Sequence, residues 1–393
     1  MTKNSYLIFL LLLVFSSCKT KRLFEKGIAV FEKETQQINI NYVKNLPLVN
    51  VNIYGKTYVF LLDTGAPTVI SPKIYEDLKL SPHFTSKVSD SQDNTKKQVF
   101  TILPEMQIDS VNFYDIGCIV MDFSIKEFEC LQIEGIIGAN QMAKLFWQID
   151  YANNKALVTK NIENLNISHF GISIPFKPKT QKTPILKTSI FNRKRAFVFD
   201  SGYTGSIKLI DRNEDIIKNI PDEDKVEIYG INAVGVYGEN QNSTEYYFQL
   251  PQLSLGNKTF EDVLFSTGKS NLIGNRFLEN FIYVLDWREN RILLQQVNDL
   301  PKNISNFGFN YRFVNNQAEV ALLFTEANSP LQIGDIILSM NNIDLRNLDD
   351  ESLCTFFMDG IEENTDTLAI EVKRQEKILR YTLTKKEMFP LQP

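Results

Sequence analysis

The sequence predicts a mostly β protein built from one unit used twice, with a smaller α+β domain after it. Three observations carry this. The apolar, β-forming stretch Leu61-Leu62-Asp63-Thr64-Gly65-Ala66 has an echo in Phe197-Val198-Phe199-Asp200-Ser201-Gly202. The surroundings of the two copies repeat at an offset of about 137 residues. The chain holds 28 Phe and 15 Tyr in 393 residues, and it lacks heptads and low-complexity tracts, so its composition favours strands.

The repeat has ordered landmarks. Pro47 to Asp63 and Pro184 to Asp200 are both 16 residues, so Ile53 falls on Ile190 and Tyr54-Gly55-Lys56 on Phe191-Asn192-Arg193. Downstream, Ile136-Ile137-Gly138 answers Leu272-Ile273-Gly274, the glycines lying 75 and 74 residues after their aspartates. Gln148-Ile149-Asp150-Tyr151 then answers Val284-Leu285-Asp286-Trp287, and Leu103-Pro104 answers Leu250-Pro251. Each apolar strand carries a carboxylate inward, where an ionised group is costly unless paired or hydrogen-bonded. The neighbouring hydroxyl can orient it, and the glycine permits a tight turn beside it.

Asp-Thr-Gly-Ala after an apolar strand, with apolar-apolar-Gly some 75 residues later, resembles the aspartic proteases of the retropepsin and pepsin type. The resemblance covers residues 41–299 and is to the one-chain arrangement. It implies two related six-stranded acid-protease lobes about a pseudo-twofold axis, lobe 1 over 41–168 and lobe 2 over 169–300. It implies Asp63 and Asp200 as the catalytic pair, with support from Thr64, Gly65, Ser201 and Gly202, and Gly138 and Gly274 packed behind the loops. A water activated between the carboxylates would hydrolyse a peptide bond, and no cofactor or metal is expected. The second copy departs from the pattern in one place: Tyr203 stands where the first has Ala66, and its ring could narrow the cleft or tilt Asp200.

From the start of the chain, residues 1–17 read as a signal peptide, with Lys3 ahead of the apolar core Leu7 to Phe15. Phe15-Ser16-Ser17-Cys18 resembles the bacterial lipoprotein signal, which implies lipid on Cys18 and a site in the cell envelope, facing the periplasm or exterior. An ordinary signal peptide or an N-terminal anchor is the other reading. Residues 18–40 are assigned to a lipidated tether, although 19–40 could also supply a first strand. Cys118, Cys130 and Cys354 remain. Cys118 and Cys130, in one loop region, are the candidates for a disulfide, which would leave Cys354 free.

Within lobe 1, Leu48 to Ile53 and Thr57 to Leu62 form a hairpin turning at Gly55. Pro72 to Leu80 and Asn140 to Phe146 read as short helices, and Trp147 to Asp150 as a strand. The polar stretches Ser86 to Lys97 and, in lobe 2, Glu227 to Thr244 stand where such proteases carry a flap. Only His83 and His169 are present, neither beside a nucleophile pattern, which disfavours Ser-His and Cys-His mechanisms. No His-Glu-x-x-His or Cys-x-x-Cys occurs. A net charge of −5 argues against nucleic acid as a partner.

After Pro301 the repeat stops. Leu331-Gln332-Ile333-Gly334-Asp335, with the strand after it, resembles the PDZ signature over residues 304–386. A helix over Leu348 to Asp359 and a closing hairpin, Thr367 to Lys373 with Lys377 to Leu383, complete that reading. Gly308 and Phe309 are the candidates for binding a peptide's carboxylate. The expected partners are a peptide or protein substrate and, through the lipid at Cys18, a membrane; the chain is read as a monomer. The competing function is a catalytically inactive peptide-binding envelope lipoprotein with a protease-like fold.

Overall fold

The hairpin that carries Asp63 forms because apolar residues alternate along both of its strands. Leu46–Ile53 buries Val49, Val51 and Ile53, and Lys56–Asp63 buries Tyr58, Phe60 and Leu62. Tyr54 and Gly55 join them with positive φ, the geometry that suits a two-residue turn to the twist of the strands. In the second half Pro184–Ile190 and Arg193–Phe199 pair likewise, turning at Phe191 and Asn192. The chain is known from a computed structural model that describes residues 18–89, 95–212, 215–231, 234–235, 238–239, 242–360 and 365–389. It is mostly β.

The rest of the repeat is visible strand for strand. Ile133–Gly138 runs parallel to the Asp63 strand with Ile137 opposite Leu62 and Gly138 opposite Asp63. Leu272–Ile273 runs parallel to the Asp200 strand with Ile273 opposite Phe199. The long hairpin Thr95–Ile108 with Val111–Val120 is answered by Ser243–Leu255 with Lys258–Thr267. The helices expected over 72–80 and 140–146 form as Pro72–Asp77 and Ala139–Met142, and Phe146 already begins the next strand.

One sheet joins the halves. Phe146–Asp150, Lys155–Thr159 and Thr35–Asn39 are matched by Phe281–Asp286, Arg291–Gln296 and Ile172–Pro178. Ile38 faces Ala156 as Ile174 faces Ile292, and the two trios meet where Trp147 and Ile149 pair with Leu285 and Tyr283. A single hydrophobic core then runs through both halves, with Phe60, Trp147, Phe197 and Tyr283 in it. Each such aromatic contributes about 2–3 kcal/mol by burial, so the halves stabilise one another.

The expectation of a tether over 18–40 does not hold for most of that stretch. Residues 18–25 are helical and bury Leu23 and Phe24, Ile28–Val30 pairs with Val111–Val120, and Thr35–Asn39 is the outer strand of the shared sheet. A Cβ at Gly117 would lie 2.0 Å from the Leu23 carbonyl oxygen, so glycine there lets the N-terminal helix press onto the sheet. Apolar Leu23, Phe24 and Ile38 are spaced too irregularly among charges to announce this. The signal stretch 1–17 lies outside the described residues, as do 90–94, 232–233, 236–237 and 240–241 within the two stretches read as flaps.

The disulfide expectation is also corrected. Cys130 pairs with Cys354, and Cys118 is free. Cys118 sits on a strand with its side chain in the core, where burial pushes its thiol up to about 12. Cys130 ends the helix Lys126–Cys130, which packs against the helix Asp350–Asp359 that bears Cys354.

That helix belongs to the C-terminal part, where Phe309–Val314, Gln317–Phe324, Ile336–Met340, Thr367–Arg374 and Lys377–Thr384 form a sheet. Asp349 caps the helix by accepting the Ser352 N–H at 2.8 Å. Asp335 is buried and takes Arg374 in a two-pronged ion pair, at 2.8 and 2.7 Å, besides the Gln332 N–H. Two attachments fix this part to the rest. Phe324 and Leu323 pair with Ile228 and Tyr229 of strand Lys225–Gly230, while the disulfide and a 2.8 Å Lys126–Asp350 ion pair reach the first half.

Candidate active site

Asp63 and Asp200 stand at the ends of corresponding strands, and the structure brings them together. Their loops lock through the neighbouring hydroxyls. The Thr64 N–H donates to Ser201 Oγ at 3.0 Å, and the Ser201 N–H donates to Thr64 Oγ1 at 3.0 Å. Each hydroxyl donates in turn to a carbonyl of the other half, Thr64 to Phe199 at 2.6 Å and Ser201 to Leu62 at 2.8 Å. Both side chains are fully buried, so all four bonds are made away from water.

The glycines allow the approach. A Cβ on Gly65 would lie 2.6 Å from the Asp200 carboxyl carbon, and one on Gly202 would lie 2.4 Å from that of Asp63. Each glycine backbone is thus packed against the opposite carboxyl group. Behind the loops, a Cβ on Gly138 would strike the Pro67 and Thr68 backbone, and one on Gly274 the Tyr203 ring and the Gly205 carbonyl. The backbone N–H of Ala139 holds the Ala66 carbonyl at 2.9 Å, and that of Asn275 holds the Tyr203 carbonyl at 2.8 Å.

The two carboxyls stand close together, each against the glycine of the opposite loop, and burial raises the pKa of both. Asp63 Oδ1 accepts two backbone N–H groups, from Gly65 at 2.7 Å and Ala66 at 3.1 Å. Asp200 Oδ1 accepts one, from Gly202 at 3.0 Å. Asp200 is held well above the ordinary range, by burial first and by the Asp63 charge second.

Residues 49–141 match the family model of aspartyl proteases. That span holds the Asp63 loop, the first long hairpin and Gly138, and it ends before the second copy. No curated protein matches the chain. The matched span and the unmatched half build the same loop, one on each side of the pair.

Tyr203 does not displace the second loop. Its ring lies against Gly205 and Gly274, where no side chain competes for the space. It forms one wall of the cleft together with buried Lys208, whose Nζ is 5.6 Å from the ring centre and 4.0 Å from Glu245. The cleft is a cavity of about 1270 Å³ lined from both halves and from the C-terminal part. Among the described residues, no group of three or more His, Cys, Asp or Glu is placed to hold a metal ion.

Several supports were not singled out from sequence. Thr183 Oγ1 donates to the Gly65 carbonyl at 3.1 Å. Buried Asn275 donates to the Ser201 carbonyl at 2.8 Å and accepts from Tyr151. Asn140 Oδ1 accepts from both the N–H and hydroxyl of Thr68, whose hydroxyl accepts the Gly138 N–H at 3.1 Å. The usable signal was an asparagine just after each apolar-apolar-Gly stretch, a polar residue amid core positions. Of the remaining candidates, Cys18 is exposed at the start of the described helix. Gly308 and Phe309 lie in the C-terminal part, and both their N–H groups donate to Asn306 Oδ1, at 2.8 and 3.1 Å.

Proposed function

We propose that this protein is an aspartic endopeptidase whose two related halves are the two lobes of a pepsin-type enzyme in one chain. The observation that carries the proposal is the pair of adjacent carboxyls on mutually locked loops lining a large cleft. Ionised Asp63 takes a proton from a water lying between the two groups, and the water oxygen attacks the peptide carbonyl carbon. Asp200 gives its proton to the carbonyl oxygen. Asp63 then passes the proton it took to the amide nitrogen while Asp200 takes one back from a hydroxyl of the tetrahedral diol, and the C–N bond breaks to leave acid, amine and both carboxyls as they began. One proton shared by two buried carboxyls is what like charges at close range require.

Three further points belong to the proposal. The C-terminal part is PDZ-like, supported by its strand order, its single capped helix and the buried Asp335. The chain is a lipoprotein of the bacterial envelope, anchored at Cys18 with the remainder outside the cytoplasm, a placement supported by the exposed cysteine and by a disulfide that oxidising compartments preserve. It acts as a monomer, since one chain carries both carboxyls. The competing reading, an inactive binding lipoprotein, depended on Tyr203 spoiling the second half-site; a ring packed on two glycines lends it no support.

The test is cleavage of a mixed peptide library, from acid to neutral pH, by a soluble form starting at Lys19. Loss of all cutting in both Asp63→Asn and Asp200→Asn is expected. A wild type that cuts nothing at any pH, while folded, would overturn the reading.

A further inference from the structure

We infer that Lys208 makes the second half's wall of the cleft a site for an acidic side chain of the substrate, an aspartate or glutamate beside the scissile bond, while the first half's wall takes an apolar one. The inference rests on the peptidase reading and adds the class of substrate to it.

The repeat supplies the comparison. Ile136 and Leu272 stand at corresponding positions, each two residues before its glycine, Gly138 or Gly274. Val69 pairs with Ile136 as Lys208 pairs with Leu272. On the neighbouring strand Val69 lies beside Ile119 and Lys208 beside Ser266, and these two pair in turn with Phe100 and Tyr247. All of them line the cleft that holds Asp63 and Asp200. In the first half the set is apolar and packs as one cluster. In the second half an ammonium and two hydroxyls replace a valine, an isoleucine and a phenylalanine. Two walls on one plan thus offer different chemistry.

The space for the lysine is made by a glycine. The N–H groups of Met121 and Gly268 bond the carbonyls of Ile70 and Leu209, each at 3.0 Å, so Gly268 stands where the first half has Met121. A Cβ on Gly268 would lie 2.5 Å from Lys208 Cδ. The lysine stem therefore passes through volume that a side chain at 268 would claim.

The ammonium is short of acceptors. Lys208 is 3% exposed, and its ion pair with Glu245 is 4.0 Å long, which balances charge but is too long for a hydrogen bond. Among the described residues nothing else accepts from it. A buried cation is costly until its donors are satisfied, and a lysine has three of them. Glu245, itself buried, is not among the residues that line the cleft, whereas Lys208 is. Arg276, exposed on the same wall, pairs with no carboxylate among the described residues. Asp200 apart, the charged side chains that the second half's wall presents among the described residues are therefore cations. A substrate carboxylate accepts the lysine's free donors and complements this field; an amide of the same shape does only the first, and an amine does neither.

The experiment measures binding, so that it reads out separately from catalysis. The Asp63→Asn protein is titrated with short dye-labelled peptides whose central pair is leucine and glutamate, in either order, and with twins carrying glutamine or lysine in place of the glutamate. In one of the two orders the glutamate peptide is expected to bind about tenfold more tightly than its glutamine twin, with the lysine twin weakest. Adding Lys208→Met together with Glu245→Gln removes the cation without leaving a buried charge alone, and the glutamate and glutamine peptides are then expected to bind alike. The enzyme with Asp63 and Lys208 intact gives a second reading that needs no substitution at the wall. Its cuts in a mixed library should show acidic residues enriched at one fixed position beside the scissile bond. Equal binding of glutamate and glutamine peptides in both orders, tighter binding of the lysine twin, a glutamate advantage that survives the double substitution, or cut sites without acidic enrichment would each overturn the inference. So would absence of binding to every peptide. Failure of the peptidase reading shows separately, as a wild type that keeps the glutamate preference in binding and cleaves nothing.

Discussion

Thr64 and Ser201, 137 residues apart, each accept the other's backbone N–H at the same 3.0 Å distance. Neither loop can close its hydrogen bonds without the other, so the two halves of the site form together or not at all.

Replacing Thr64 with Val tests this directly. The methyl keeps the volume but leaves the Ser201 N–H and the Phe199 carbonyl buried without their partner. Each orphaned group costs about 1–3 kcal/mol. Thermal melting should fall by several degrees, and peptide cleavage should drop far more than a stability loss explains, because the Asp200 loop loses its clamp.

Gly138→Ala should act through packing alone. Its Cβ would stand 2.1 Å from the Pro67 carbonyl carbon and 2.3 Å from the Thr68 nitrogen, so the loop after Asp63 must move. Backbone cannot yield as a flexible side chain does. A loss of turnover with a modest fall in melting temperature is expected; full activity would show that the loop tolerates the shift.

The carboxyl pair should leave a mark on stability against pH. Both groups titrate near the ordinary carboxylate value when unfolded and above it when folded. Above about pH 4 the folded chain therefore holds more protons than the unfolded chain, and this contribution to stability falls as pH rises toward the raised values. Asp200→Asn removes that slope. The melting temperature of the variant minus that of the wild type should grow with pH, and a flat difference would contradict the raised values.

Removing the cross-link should destabilise the molecule and leave its cleft less well defined. Cys130–Cys354 closes a span of 224 residues. A chain-entropy account assigns such a loop about 5 kcal/mol. Cys354→Ser and reductant should each lower the melting temperature, whereas Cys118→Ser should be nearly silent toward reductant. Peptide mapping without reduction should recover residues 130 and 354 in one fragment.

Much of this was legible because the chain repeats itself. The offset between Asp63 and Asp200 carried the strand order, the turns at Gly55 and Asn192, and the pairing of glycines with loops. What stayed hidden was long-range geometry with no local trace. Strand Thr35–Asn39 mixes Ile38 with four polar residues, and only its pairing with Lys155–Thr159 marks it as the partner of Ile172–Pro178. The cysteines were judged by closeness in sequence, and the distant pair won because Cys118 points into a core. Thr183 and Asn275 act on backbone carbonyls of loops far from them in the chain, a role that residue type alone does not announce.

The tie between residues 130 and 354 also has a temporal side. A chain made from its N-terminus has already completed both carboxyl-bearing loops before its second bridging cysteine exists. The cleft is first an open trough, and its far wall arrives later, with residues 301–358. Whatever the finished molecule excludes by shape, the nascent one does not yet exclude, so the order of synthesis and oxidation decides when the cleft becomes selective.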